Sequence, residues 1–363
     1  MSRRHTVIRS AVAIGAAGFA VAWVVPATAT SSSTSPTSAA PAAATSGVPW
    51  STVHSGWSVV THDAKASSRL SLISPNGTAY RLGQVKKGDL LQDVSSGARS
   101  AVFAQEDVDN ARVTVRDLRT KRDSHFTLRT PQSVRFLDRS GGALLVTRNY
   151  GPKARVEVRS RTGKLIRTLY RGTQFSDSDP LPVAGGRTVV IPLSTGLAVV
   201  DTRSGRMIRR LPDPAGHHYC HPTRQWDSTH FVVSCLVKSK TDEIGQVFVS
   251  NTSGKVRKLT SGKADGHGWW DAWPHRRGAV AVAGQMCGAG IPHRLTKGKP
   301  VLKTGYAAGT WQMVALVGDR AIGERVGACP PSARTLTSHD LVTGKNRVLS
   351  RSVTSVAVVD PRR

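Results

Sequence analysis

Seven copies of one strand–turn–strand unit recur with two further short strands ahead of each copy and no helical periodicity between them. Together these predict an all-β fold: a seven-bladed β-propeller of four-stranded blades, with the C-terminal strand closing blade one.

The copies are LSLISPNGTAYRL (70–82), VTVRDLRTKRDSHFTL (113–128), VEVRSRTGKLIRTL (156–169), AVVDTRSGRMIRRL (198–211), VFVSNTSGKVRKL (247–259), PHRLTKGKPVL (292–302) and SHDLVTGKNRVL (338–349). Their turn residues are Gly77, Lys121, Gly163, Gly205, Gly254, Gly298 and Gly344, spaced by 44, 42, 42, 49, 44 and 46 residues. Glycine suits a turn that needs positive φ between two strands. Ahead of the second copy lie LLQDV (90–94) and AVFAQ (101–105), and ahead of the third SVRFL (133–137) and ALLVT (143–147). Apolar and polar residues alternate at the period of a strand throughout. The first unit lacks an innermost strand, and SVTSVAVVD (352–360) follows the seventh hairpin without a partner. Pairing of 352–359 with 57–62 would close the ring and remove an open edge.

Residues 1–29 read as a secretory signal peptide. Arg3, Arg4 and Arg9 precede an apolar run over 10–25, then Pro26 and Ala27-Thr28-Ala29, a small-residue cleavage site. The run is shorter than a spanning helix requires. Ser2-Arg3-Arg4 hints at twin-arginine export, but Thr6 stands where that signal carries a bulky apolar residue, which favours general secretion. Residues 30–49 are a Ser/Thr/Pro/Ala-rich flexible spacer, unable to bury enough apolar surface to order itself. The propeller is expected over 50–363. The expected location is secreted and extracellular, associated with the cell wall.

The net charge is +28, and +25 without residues 1–29, which hold three arginines and no acid. Such a field concentrates polyanions. The basic residues are scattered through nearly every hairpin, so an arginine-rich composition with no partner behind it is the competing explanation.

Four cysteines in an exported chain suggest two disulfides. Cys220 and Cys235 are centred on the Asp227–Ser228 turn and face each other across a hairpin, within disulfide reach. Cys287 and Cys329 follow the second strands of adjacent blades, and their loops should emerge side by side. The expected bonds are Cys220–Cys235 and Cys287–Cys329.

VFVSNTSGKVRKLTSG resembles the repeat of TolB-like propellers, and GLAVVDTRSGRMIRRLPDP is similar to YVTN-type repeats of secreted and surface propellers. The likeness covers about 50–363 at the level of the repeat pattern. It implies a fold and an extracytoplasmic location, and no activity, because propellers host many functions.

Two interblade loops carry the residues best suited to bind a ligand. PDPAGHHYCHP (212–222) brings His217, His218, Tyr219 and His221; SGKADGHGWWDAWP (261–274) brings His267, Trp269, Trp270, Asp271 and Trp273. Trp311 lies in the following interblade segment. Aromatic rings beside imidazoles suit a sugar or a peptide. Packing between blades would equally account for the tryptophans. The histidines lack the spacing of a metal site, and the acidic runs 106–109 and 177–179 do not follow a calcium loop, so neither a metal nor another cofactor is expected. No nucleophile elbow and no isolated reactive cysteine occurs.

The preferred expectation is a non-catalytic binding or scaffold protein of the outer envelope. It would be a monomer, docking on an anionic envelope polymer or polysaccharide, or on a surface protein. Nucleic acid is disfavoured for want of a basic stripe interleaved with aromatics. The alternative is a secreted carbohydrate-active enzyme with its site on loops 212–222 and 261–274.

Overall fold

A computed structural model describes residues 47–359, except 107–109, 130, 149–152, 174, 177, 239–242, 261–267, 285–289, 297–298, 302–309 and 327–333. Among these residues the strands form seven four-stranded antiparallel sheets. The first contains β1 (Ser58–Asp63), β2 (Ser67–Ile73) and β3 (Ala79–Lys86). The second is β4 (Leu90–Val94), β5 (Ser100–Glu106), β6 (Asn110–Asp117) and β7 (Asp123–Arg129). The third is β8 (Pro131–Phe136), β9 (Ala143–Arg148), β10 (Ala154–Ser160) and β11 (Leu165–Gly172). The fourth is β12 (Leu181–Val183), β13 (Thr188–Leu193), β14 (Gly196–Asp201) and β15 (Met207–Leu211). The fifth is β16 (His218–Gln225), β17 (His230–Lys238), β18 (Glu243–Asn251) and β19 (Val256–Lys258). The sixth is β20 (Trp269–His275), β21 (Gly278–Gly284), β22 (Gly290–Thr296) and β23 (Lys299–Val301). The seventh is β24 (Thr310–Val317), β25 (Arg320–Val326), β26 (Arg334–Asp340) and β27 (Asn346–Val353). Finally β28 (Ser355–Val358) joins the first sheet beside β1.

Each sheet packs on both faces, and this explains why its middle strands are apolar almost throughout. Successive side chains of a strand point to opposite faces. In β5, Phe103 joins Val59 and Leu70 of the first sheet, whereas Val102 joins Val134 and Leu144 of the third. The same alternation passes around the ring. Ala154 and Val156 pack with Val189 and Ile191, and Val280 packs with Trp311 and Leu316. Val60 and Ile73 pack with Ile322 and Leu336, which joins the seventh sheet to the first. Val48 and Trp50 also pack on the first cluster.

Ser58 lies opposite Val358 and Thr61 opposite Ser355. The buried Thr61 and Ser355 hydroxyls are 2.6 Å apart, and the Asp63 amide donates to Thr354 Oγ1 at 3.1 Å. The last strand is therefore held by side chains as well as by its ladder. Cys220 and Cys235 form a disulfide, their Cα atoms 4.1 Å apart. Cys287 and Cys329 lie outside the described residues. Among the described residues no helix is long and apolar enough to cross a membrane.

Candidate functional site

Register shifts occur in the outer hairpins and again in the innermost strands. In β4, β8, β16, β20 and β24 the pairing to the next strand shifts by one residue. A bulge of this kind re-aims a side chain. In β20, Trp269 pairs with Ala283 and Asp271 with Val282, so Trp270 is the extra residue. In β16 there are two shifts, between His218 and His221 and between Pro222 and Arg224, and Tyr219 in the first has φ 50°. The consequence is exposure. Tyr219 is 60 % exposed and Trp270 44 %, at the starts of the innermost strands of neighbouring sheets.

Two close approaches set the start of β20. Gly245 and Gly268 form an isolated parallel bridge. A Cβ on Gly245 would lie 2.5 Å from the Trp269 carbonyl oxygen, and one on Gly268 would lie 2.5 Å from the Gly245 oxygen. Gly268 also has φ +89°, which side chains avoid.

Further along, the two strands share a polar group. Asp271 Oδ1 accepts from Thr223 Oγ1 at 2.7 Å, from Arg224 Nε at 3.0 Å and from the Ala272 amide at 2.8 Å. Arg224 Nη2 donates to Asp271 Oδ2, and its guanidinium sits 3.5 Å from the Trp273 ring centroid. His221 Nδ1 lies 3.3 Å from the Tyr219 carbonyl oxygen. Burial holds the His221 imidazole below its usual range, against the opposing pull of that carbonyl and of the Asp271 charge. The ring is therefore neutral at pH 7, and the Nδ1–H···O=C bond leaves Nε2 as its basic nitrogen.

Asp213, in the loop entering β16, is a second carboxyl of interest that sequence reasoning did not single out. Burial pushes it up, while the Gly196 amide and the charges of His218 and His217 oppose the shift. Its Oδ1 has no hydrogen-bond partner among the described residues. Glu324 on β25 is similar: burial pushes it up, Arg334 opposes, and Oε1 is buried and unpartnered among the described residues.

The other expected site residues are placed as follows. His217 is engaged at both ring nitrogens, by the Ala215 carbonyl at 2.7 Å and Gln246 Oε1 at 3.0 Å, and it packs edge-on against Phe248. His218 packs edge-on against Tyr219. Trp269 and Trp273 are buried in the packing between sheets. Trp311 is buried in the seventh sheet, in one cluster with Trp273 of β20, and its Nε1 donates to Thr337 Oγ1 at 2.8 Å, so it packs between blades and does not face solvent. His267 lies outside the described residues. Among the described residues no group of three or more His, Cys, Asp or Glu is placed to hold a metal ion. A cleft of about 380 Å³ is lined by His54, Asp319, Arg320 and Asp340, on the opposite rim.

No protein-family model matches the chain, and no curated protein is similar to it in sequence. Solved structures are similar in shape. The β-propeller domain of the trilobed protease from Pyrococcus furiosus aligns at 12 % identity and TM-score 0.57, over 81 % of this chain and 93 % of that one. A prolyl endopeptidase aligns at 14 % identity and TM-score 0.56, over 85 % of this chain and 51 % of that one, so the chain spans about half its length. A Bacteroides fragilis protein provisionally assigned as a 6-phosphogluconolactonase aligns at 11 % identity and TM-score 0.51, over 85 % of this chain and 99 % of that one.

These likenesses correct one expectation. The non-catalytic scaffold loses its precedence, because the solved chains of this shape include a prolyl endopeptidase, about half of whose length this chain spans. At such low identity the likeness extends to the fold and no further: the chain is an all-β propeller of four-stranded blades.

Proposed function

We propose that this chain is an exported enzyme acting on carbohydrate, with its site at the starts of β16 and β20. One observation carries the reading. Bulges in adjacent innermost strands leave Tyr219 and Trp270 exposed, on the same two strands that share the polar group of Thr223, Arg224 and Asp271. Flat rings bind the apolar face of a sugar at low entropic cost, and the polar group offers hydrogen bonds to its hydroxyls. His221, neutral and with Nε2 basic, is suited to act as general base. Asp213, protonated more readily than an ordinary carboxyl, is suited to act as the acid.

Export rests on the arginine-led apolar N-terminus and its small-residue cleavage site, and the Cys220–Cys235 disulfide supports an oxidising compartment. The test is release of reducing ends from a panel of polysaccharides. Turnover should fall ~100-fold or more in H221Q, and binding should weaken in W270A and Y219A with the melting temperature retained. No new ends from any polysaccharide, with no sugar binding, would exclude the reading.

A further inference from the structure

Three successive blades carry the same exposed motif just past the turn between their outer strands. Gly163 is followed by Lys164, Leu165 and Ile166; Gly205 by Arg206, Met207 and Ile208; Gly254 by Lys255 and Val256. The five apolar residues are between 45 % and 58 % exposed, and the three basic residues are exposed beside them. The positions two past the turn residue in the first, second and seventh sheets hold Ala79, Asp123 and Asn346 instead, and in the sixth Gly298 is followed by Lys299 and Pro300.

The three copies are stitched together. Arg167 Nη1 of β11 donates to the Ser204 carbonyl in the next blade's turn at 3.2 Å, and Arg209 Nη1 of β15 donates to the Ser253 carbonyl at 3.1 Å. A Cβ on Gly205 would lie 2.9 Å from the Arg167 side chain, and one on Gly254 would lie 3.3 Å from Leu211. Each turn is thus seated on the outer strand of the blade before it. The apolar residues follow one another from blade to blade along the rim that carries these turns. Lysine and arginine on an edge strand are an ordinary guard against edge-to-edge pairing. Isoleucine, leucine and methionine between them undo such a guard and call for a partner.

We propose that the turn rim of blades three to five is a docking surface for an anionic lipid bilayer. The apolar side chains enter the headgroup boundary, and Lys164, Arg206 and Lys255 meet the lipid charges. The segments 160–172 and 251–259 contain no acid, and 201–211 contains only Asp201, so the charge of the rim complements an anionic surface. The starts of β16 and β20 lie at the other rim, so a chain docked this way presents its candidate site to solution.

The experiment is flotation of the purified, processed chain with vesicles of phosphatidylcholine alone or mixed with phosphatidylglycerol, across a salt series. Binding to the anionic vesicles at low salt, about tenfold weaker in I166S/M207S/I208S and likewise in K164Q/R206Q/K255Q, is the expected result. Both triple variants alter exposed side chains, and an unchanged melting temperature verifies their fold. Three outcomes would overturn the proposal: no binding to either vesicle, equal binding to both, or anionic binding that the apolar variant leaves unchanged. The last would reduce the rim to general electrostatic attraction.

Discussion

Asp271 on β20 accepts hydrogen bonds from both Thr223 and Arg224 on β16, so one carboxylate ties the innermost strands of two neighbouring blades. Arg224 is held on its other side by the Trp273 ring. The group therefore couples blade packing to the shape of the candidate site.

Removing either partner leaves a partly buried charge without its counterpart. D271N and R224A should each destabilise the fold by roughly 1–3 kcal/mol, read by denaturant unfolding. R224K should recover little, because an ammonium lacks the planar fork that meets both carboxylate oxygens and stacks on Trp273. Full recovery in R224K would show that only charge matters there.

Gly245→Ala places a methyl 2.5 Å from the Trp269 carbonyl oxygen, a backbone atom that cannot swing away. The start of β20 must then move, taking Trp270 with it. A destabilisation of roughly 1–3 kcal/mol and an altered tryptophan fluorescence spectrum are expected. An unchanged spectrum and stability would mean that the strand start has slack.

Glu324 is raised by burial, so the folded state binds its proton more readily than the unfolded state does. Its contribution is lost as pH rises from the unfolded value of about 4.5 through the folded one. E324Q should therefore be as stable as the parent or more stable at pH 7, and that advantage should shrink as pH falls. Urea melts at a series of pH values measure both. A less stable E324Q at neutral pH would show that the Arg334 bond outweighs burial.

His221 works in the opposite direction. Its folded pKa is lowered, so its contribution is intact above the unfolded value near 6.5 and is lost as pH falls through the window below it. H221Q should flatten the stability profile between neutral and mildly acid pH. The same group should give the rate of the proposed enzyme an acid limb set by that lowered value.

Cys220 and Cys235 are 15 residues apart, and cross-linking a loop of that length is worth about 3 kcal/mol. C220A/C235A should lower stability by about that amount. It should also loosen the Tyr219 bulge beside Cys220, seen as faster amide exchange over 218–222. Unchanged exchange would separate the disulfide from the site.

The strands, the hairpin turns and the joining of the last strand to the first were legible in the sequence because they rest on local chemistry. The middle strands show as short runs of Val, Ile, Leu and Phe bounded by turns, and Gly163, Gly205 and Gly254 all adopt the positive φ that their turns need. The Cys220–Cys235 bond was anticipated too, although the ladder beside the turn pairs Gln225 with Phe231 and it is the bulge between Pro222 and Arg224 that brings the two cysteines opposite each other. The bulges were not legible. An extra residue in one strand shows only against its partner, so nothing local distinguishes exposed Trp270 from buried Trp269 and Trp273. Likewise the ties of Asp271 to Arg224, and the burial that shifts Asp213, His221 and Glu324, join residues from different strands or blades. The all-β repeat and its turns follow from near neighbours along the chain, and the positive charge from composition, so all three can be read from the residues alone. Which aromatic rings face solvent and which acids are buried depends on burial and strand register, and these exist only in the packed sheets.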